Sequence, residues 1–189
     1  ISKVFYRGII DTGCNDDEKR HGLSRYVGKS IVWFDTSANK KKSQKRTKGG
    51  SYINEEEKRI ILEILDDLKS TGELKGLDIG IITGYSGQKE LLRKSIKATG
   101  LDKIASKIDI NTLDAFQGRE NDIIIYSTVR TRDSIGFQKE KERVNVAFSR
   151  AKKLLIVCGD KNFFYNFDDQ DNKFVEIIDY ISEEEECEI

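Results

Sequence analysis

Short apolar runs alternate along the chain with segments whose apolar residues recur at helical spacing. The runs are Ile31–Phe34, Ile79–Ile82, Ile108–Ile110, Ile123–Tyr126 and Leu154–Cys158. Most are apolar and β-branched throughout, without an alternation of apolar and polar residues. This pattern predicts strands that are buried on both faces of a parallel sheet.

Four further segments predict helices. The supporting residues are Asn54 with Ile60, Ile61, Ile64, Leu65 and Leu68; Ser86 with Leu91, Leu92 and Ile96; Val144 with Phe148 and Ala151; and Phe174 with Ile177, Ile178 and Ile181. Asn54 precedes three glutamates in the pattern of a capping box, and Ser86 is a second candidate cap. Alternating strands and helices predict an α/β fold, with ligands bound where strand C-termini meet helix N-termini.

The composition supports one folded domain, but its charge balance is misleading. The 189 residues are 37% hydrophobic and include 33 basic and 33 acidic residues, which suggests no preference for a polyanion. Residues 166–189, however, contain ten acidic residues and one lysine. The preceding 165 residues therefore carry a net charge of +9, the sign that a nucleic-acid-binding domain needs.

Several classes of protein and site are disfavoured. Cys14, Cys158 and Cys187 lie far apart and His21 is the only histidine, so we expect no disulfide framework and assign no metal ligands. No apolar run approaches the roughly 18 residues of a membrane span, so we expect no membrane partner and a cytoplasmic, reducing location. Because the chain starts at Ile1 and lacks methionine, we expect it to be a piece of a longer protein.

Two basic segments need separate consideration. Gly28–Lys29–Ser30 is similar to the end of a phosphate-binding loop, but the pattern requires a glycine where Leu23 stands, and the tripeptide precedes a strand instead of opening a helix. We therefore predict no P-loop here. Lys40–Lys48 has six basic residues among nine. It is either a solvated loop, as like-charge blocks commonly are, or a phosphate-binding arm.

The polar residues suited to catalysis or ligand binding are concentrated between Asn111 and Asp160. We expect the turn that contains Thr112, Asp114, Gln117, Gly118, Arg119 and Glu120 to lie at the binding edge of the sheet. Gly118 permits close backbone approach to a ligand, and the Gln117 and Glu120 side chains can hydrogen-bond a sugar or order a water. Arg130 is predicted at the same edge. Arg143, Asn145 and Arg150 are predicted on one helix, where a spacing of seven residues places the two arginines on one face.

These residues resemble motifs V and VI of superfamily 1 helicases, in the Upf1-like branch (SF1B). The matching patterns are T-x-D-x-F-Q-G-R-E, S-x-V-R and R-x-N-V-A-x-[ST]-R-A, and Ile81–Gln88 is similar to motif IV, with Gly84 where the family usually has proline. The resemblance covers roughly residues 30 to 165. It implies a RecA-like three-layer α/β/α sandwich with a mostly parallel central sheet over residues 30–189. Residues 1–29 are then a peripheral remnant of the inter-domain region.

In this family the motor has two RecA-like domains, with ATP between them and nucleic acid across both, and the chain resembles only the second. The resemblance implies that Arg150 is the arginine finger and that Gln117 and Glu120 assist catalysis. It implies that the nucleotide is bound by Tyr85, Gln88, Gly118, Glu120 and Arg150. It also implies that the nucleic acid is contacted by Thr83, Thr112, Arg130 and Asn145. The implied cofactor is ATP with Mg²⁺, whose ligands are expected on the first domain.

The implied partners are single-stranded DNA or RNA and the N-terminal RecA-like domain of the same parent chain. The implied mechanism is ATP-driven closure and opening of the two domains, with 5′-to-3′ movement along the strand. Because Walker A and B sequences are missing, this chain alone is expected to be inactive. Two other interpretations stay open: a non-catalytic nucleic-acid-binding module that keeps the scaffold, and an unrelated α/β nucleotide-binding protein.

Overall fold

A computed structural model describes residues 4–5, 20–39, 44–73, 76–101, 108–170 and 172–189. Its centre is a six-stranded sheet in which every pair of neighbouring strands is parallel. The strands are β1 (Ile31–Asp35), β4 (Ile79–Thr83), β5 (Ile108–Thr112), β6 (Asn121–Ser127), β7 (Ala151–Gly159) and β8 (Cys187–Glu188), in the spatial order β5-β4-β6-β7-β1-β8. A separate antiparallel hairpin joins β2 (Lys45–Arg46) to β3 (Tyr52–Ile53).

Helices cover both faces of the sheet. They are α1 (Glu55–Ser70), α2 (Ser86–Thr99), α3 (Lys141–Phe148), α4 (Lys161–Tyr165) and α5 (Lys173–Glu183). Ile123 and Ile125 pack in the core beneath α1 and α2, while Ile124 and Tyr126 pack in the core beneath α3 to α5. Because alternate side chains of a strand point to opposite faces, one sheet serves two cores. The structure confirms the RecA-like three-layer α/β/α fold, and its central sheet is entirely parallel.

The start of α1 partly follows the predicted capping box. The Asn54 side chain accepts hydrogen bonds from the backbone N–H groups of Glu56 and Glu57, at 3.1 and 3.2 Å. In a complete capping box the Glu57 side chain would accept from the Asn54 N–H. Here the Asn54 N–H donates to Gln88 Oε1 instead, at 2.8 Å. The prediction for α2 is wrong in detail: Ser86 is its first residue, and Tyr85 occupies the cap position without a side-chain capping bond.

The prediction that Ala151 and Arg150 belong to the third helix is wrong. Helix α3 ends at Phe148, and Ala151 is the first residue of β7. The Asn121 N–H donates to the Arg150 carbonyl at 3.2 Å, which brings the chain into the sheet directly after the helix. Arg143 and Arg150 therefore lie near opposite ends of α3 and do not share a helix face.

Part of the segment predicted to be peripheral belongs to the domain core. Leu23 and Tyr26 are 1% and 3% exposed and pack in the core on the α1 face of the sheet. His21 closes the following turn, because its Nδ1 accepts from the Leu23 N–H at 3.0 Å while Nε2 bonds the Lys29 carbonyl at 2.9 Å. Lys29 Nζ donates to the carbonyls of Glu185 and Cys187. Gly28–Lys29–Ser30 thus tethers β8, in agreement with its rejection as a P-loop.

Only the end of the basic segment Lys40–Lys48 is described, since residues 40–43 lie outside the described ranges. Gln44 is 2% exposed, and it exchanges hydrogen bonds with Thr131 through its backbone N–H and its side-chain oxygen, both at 3.1 Å. Lys45 and Arg46 follow in the hairpin. Among the described helices, none has the length and apolar character that crossing a membrane requires.

Gly80, in strand β4, has no free space for a side chain. A Cβ atom at this position would lie 2.6 Å from Ile124 Cδ1 and 2.9 Å from Asn121 Oδ1. Gly80→Ala is therefore expected to lower the free energy of unfolding by about 1–3 kcal/mol, the usual cost of overpacking a core. Urea denaturation measures this. The control is Gly84→Ala, whose Cβ would lie 3.9 Å from its nearest neighbour; equal losses in both variants would contradict the packing argument.

Candidate functional site

The residues predicted to form one site are divided between two edges of the sheet. Thr83 and Thr112 end their strands at the carboxyl edge, whereas Asn121 and Ala151 begin theirs at the amino edge. Residues 113–120 pass from one edge to the other. The Leu113 N–H donates to the Thr83 carbonyl at 3.0 Å, while Arg119 pairs at 2.7 Å with Asp109, near the start of β5. The expectation that this whole turn lies at the carboxyl edge is therefore wrong.

Four of the predicted residues come together at the amino edge, and we call Gln117, Gly118, Glu120 and Arg150 the amino-edge site. Glu120 directly precedes Asn121, whose N–H is bonded to the Arg150 carbonyl. The first three residues are exposed, and Arg150 is half-buried. Gly118 has a φ of +81°, and no heavy atom lies within 4 Å of the position that a Cβ atom would take there. Its conformation favours glycine, and the space above it is open to a ligand.

Arg150 retains an unneutralised charge at this site. Its Nε and Nη2 atoms donate to Ser149 Oγ at 3.3 and 2.9 Å, and no carboxylate in the described part of the chain pairs with it. By contrast, Arg143 lies 2.7 Å from Glu140 and 3.7 Å from Asp114. An arginine without an acidic partner can bind phosphate through its planar fork of N–H donors. The amino-edge site therefore fits the phosphates and ribose of a nucleotide.

Tyr85 and Gln88 lie elsewhere, past the carboxyl end of β4. Gln88 is 0% exposed. It accepts from the Asn54 N–H and donates to the Asn54 carbonyl and to Ser127 Oγ, both at 3.1 Å. Tyr85 is 5% exposed. The structure does not bring this pair to the amino-edge site, and Gln88 ties α1 to α2 and β6. Nucleotide binding by Tyr85 and Gln88 stays a prediction.

The four residues predicted to contact nucleic acid differ in exposure. Thr83 is 0% exposed and its Oγ1 accepts from the Tyr85 N–H at 3.4 Å. Arg130 is 4% exposed and donates to the carbonyls of Ser134 and Arg132, so it orders the loop after β6. Thr112 and Asn145 are half-buried, the first at the carboxyl edge and the second within α3. Contact of these side chains with a strand stays a prediction.

A buried carboxylate organises the carboxyl edge, and its role was missed in the sequence. Val129, the third residue of the S-T-V-R motif, has a φ of +69°, which is unusual for a β-branched residue. Glu57 is 0% exposed and accepts from the Val129 N–H, with both oxygens 2.9 Å away, and from Ser127 Oγ at 2.6 Å. Asn54 Nδ2 donates to the Val129 carbonyl at 3.2 Å. The start of α1 therefore holds both backbone groups of the strained residue.

Three rings form a row along the same edge, and we call Tyr52, Tyr85 and Phe137 the aromatic row. Ring centroids are 5.6 Å apart between Tyr52 and Tyr85, and 5.8 Å apart between Tyr85 and Phe137. Arg130 lies 4.2 Å from the centroid of Tyr52, and Arg143 lies 5.1 Å from that of Phe137. Sequence reasoning missed the row, although a phenylalanine within the polar segment 130–143 was a usable signal.

Within the described ranges, no three His, Cys, Asp or Glu side chains are arranged to hold a metal ion. The amino-edge site offers only one carboxylate, that of Glu120. Magnesium commonly binds through one or two carboxylates together with substrate phosphates and water. The described residues therefore fit the organic and phosphate parts of Mg·ATP better than the cation itself.

Comparison with known proteins identifies the family. Residues 1–162 match the family model described as "AAA domain". The chain is similar to the DNA polymerase alpha-associated DNA helicase A of Saccharomyces cerevisiae (36% identity over 69% of the chain), to helicase SEN1 of the same yeast (38% over 84%) and to a regulator of nonsense transcripts 1 homolog of Neurospora crassa (35% over 84%).

The chain spans only 19%, 7% and 15% of the length of these three proteins, respectively. Two of them are named as helicases, and the described chain has the fold that the motifs imply. The chain therefore belongs to the AAA domain family and is a C-terminal, RecA-like domain of a superfamily 1 helicase in the Upf1-like branch.

Proposed function

We propose that this chain is the second motor domain of an ATP-dependent helicase or translocase, and that it supplies Arg150 as the arginine finger. The observation that carries the proposal is the Arg150 guanidinium at the amino edge, which donates to Ser149 Oγ and has no carboxylate partner among the described residues. The related helicases support an ATP-dependent motor: one relative, from Saccharomyces cerevisiae, is named an ATP-dependent helicase. The intact protein is then an intracellular enzyme whose first RecA-like domain faces this edge.

The chemistry at the amino edge follows from three side chains. When bound, Mg·ATP supplies the phosphoanhydride bond whose hydrolysis drives the motor. The Arg150 guanidinium places fixed positive charge near the γ-phosphate, where negative charge develops in the transition state. Glu120 accepts hydrogen bonds from ribose hydroxyls, and Gln117 orients a phosphate oxygen or a water. The Mg²⁺ ligands and the phosphate-cradling loop belong to the first domain in this proposal.

The nucleic acid lies at the opposite, carboxyl edge in this proposal. There Thr112, Arg130 and the basic hairpin would follow the backbone of single-stranded DNA or RNA, in part through the loop that Arg130 orders. Helix α3 connects the two edges, because Arg143 lies in its first turn and Arg150 follows its last. Its eight residues span about 12 Å. Closure of the domains around the nucleotide would therefore move the strand-binding edge. We expect the motor to travel along the strand in the 5′-to-3′ direction.

The chain on its own is expected to hydrolyse ATP no faster than a buffer blank, because it lacks the phosphate-cradling loop of the first domain. A phosphate-release assay on the purified chain, with and without single-stranded DNA or RNA, measures this. The positive control is the longer protein with both domains, which is expected to turn over and to be stimulated by the strand. Turnover by the isolated chain would contradict the two-domain proposal. No turnover by the longer protein would favour the non-catalytic binding module.

A further inference from the structure

We propose that Phe137 is a base-stacking residue, which binds one unpaired nucleobase of the strand at the carboxyl edge. This inference rests on the proposed function, since it assigns a contact to the nucleic-acid edge described above. Phe137 belongs to the short 3₁₀ helix Gly136–Lys139, between β6 and α3. It is 48% exposed, whereas the other two rings of the aromatic row are half-buried and 5% exposed. Phe137 therefore ends the row at the surface.

The position of Phe137 is fixed from beneath. Its neighbour Gly136 has a φ of +62°, and the Tyr85 hydroxyl occupies the space that a Cβ atom at position 136 would need. The Tyr85 ring lies against Phe137 on one side and Tyr52 on the other. The Phe137 ring is thus supported by other rings and not carried on a free loop. A rigid aromatic surface loses little conformational entropy when a base binds to it.

The Arg143 guanidinium holds the ring from the side of α3. Its Cζ atom lies 5.1 Å from the Phe137 centroid, and Glu140 Oε2 lies 2.7 Å from Arg143 Nε. The guanidinium is therefore fixed by an ion pair while it lies against the ring. Because one end of the row is occupied by Arg130 and the other by Arg143, the exposed part of Phe137 is the surface left for a further planar group.

The surrounding charge favours a polyanion that carries such groups. Segments 44–53 and 130–143 together contain eight basic and three acidic residues. Proteins that bind single strands combine this kind of positive surface, which follows the phosphates, with aromatic rings on which bases stack. An apolar protein partner would gain from the ring but not from the cations. The combination therefore favours a nucleobase with its flanking phosphates as the occupant.

The test compares two oligonucleotides on the longer protein with both motor domains. One is a fluorescein-labelled dT20, and the other is a 20-mer of the same backbone with abasic sites throughout. Phe137→Ala is expected to weaken dT20 binding by about 5- to 100-fold and to leave the affinity for the abasic strand unchanged. Phe137→Trp should bind dT20 about as tightly as the wild-type protein does. Phe137→Leu, which is apolar but not aromatic, should bind dT20 as weakly as Phe137→Ala. Tyr165→Ala removes another exposed aromatic residue (41% exposed) and is the matched control.

Fluorescence gives an independent measurement. Within this chain the single tryptophan, Trp33, is 1% exposed, so the difference in tryptophan emission between the Phe137→Trp variant and the wild-type longer protein reports on position 137. Stacking predicts that dT20 quenches this signal and that the abasic strand does not. Thermal unfolding of each variant serves as the control, and melting temperatures equal to that of the wild-type protein are expected.

The outcomes separate the failure of this inference from failure of the proposed function. If the wild-type protein binds dT20 but Phe137→Ala binds it equally well, stacking is excluded and the helicase proposal stands. Equal weakening for dT20 and the abasic strand would also overturn stacking, and would indicate that Phe137 contacts protein. If the wild-type protein binds neither strand, the proposed function itself fails.

Discussion

Replacing Arg150 by alanine in the longer protein with both motor domains is expected to lower the kcat of ATP hydrolysis by roughly 10³- to 10⁵-fold. The reason is electrostatic. The substitution removes a charge that has no acidic partner among the described residues and that, in the proposed mechanism, faces the developing charge of the transition state. The affinity for ATP should change little, because the phosphate-cradling groups are expected on the other domain. Steady-state hydrolysis and fluorescent-nucleotide titration measure the two quantities separately.

Two further variants make the arginine test specific. Lys152→Ala removes an exposed cation two residues further along, at the same end of β7, and should leave kcat within about threefold because its charge is exposed to solvent. Arg150→Lys keeps the charge but loses the planar fork of donors, so it should recover only part of the lost rate. The finger assignment is wrong if Arg150→Ala retains near-normal turnover or if Lys152→Ala is equally impaired.

The core strands could be predicted because their apolar runs are long enough to exclude other structures. The runs beginning at Ile79, Ile123 and Leu154 all lie in buried strands. Strands β2, β3 and β8 have two residues each, which is too few to produce a pattern. The end of α3 was misjudged because Val144, Phe148 and Ala151 keep helical spacing across the boundary. The bond from the Asn121 N–H to the Arg150 carbonyl is a long-range contact that local spacing does not contain.

The site was predictable as a set of residues but not as a geometry. The motifs single out Glu120 and Arg150, which the structure brings together, but motif order does not indicate which edge of the sheet a residue occupies. Residues 113–120 cross between the edges without a regular helix to mark the change. Tyr85 and Gln88 have polar groups typical of a site, yet both are buried, and burial depends on contacts with β3 and α1 that are distant in sequence.

Glu57 is the residue for which we expect the largest effect on stability, and that effect depends on pH. Burial raises its pKa from 4.5 to about 8, although hydrogen bonds from Ser127, Val129 and Thr128 act in the opposite direction. The folded state therefore binds a proton more tightly than the unfolded state does. Because of this difference, the stabilisation is fully present below pH 4.5 and is lost as the pH rises through about 8.

Between pH 5 and pH 9 the wild-type chain is expected to lose about 4 kcal/mol of unfolding free energy through Glu57 alone, or roughly 8–16 °C in melting temperature. Glu57→Gln has nearly the shape of the protonated acid and cannot ionise, so the difference between the two proteins isolates this residue from all other titrations. Thermal unfolding of both, at half-unit pH intervals, measures the effect. Parallel curves would mean that the hydrogen bonds from Ser127, Val129 and Thr128 keep Glu57 ionised throughout. A gap that closes below about pH 5, widens as the pH rises to about 8 and then levels off would mean that the strained Val129 turn is held by a carboxylic acid whose ionisation loosens the carboxyl edge.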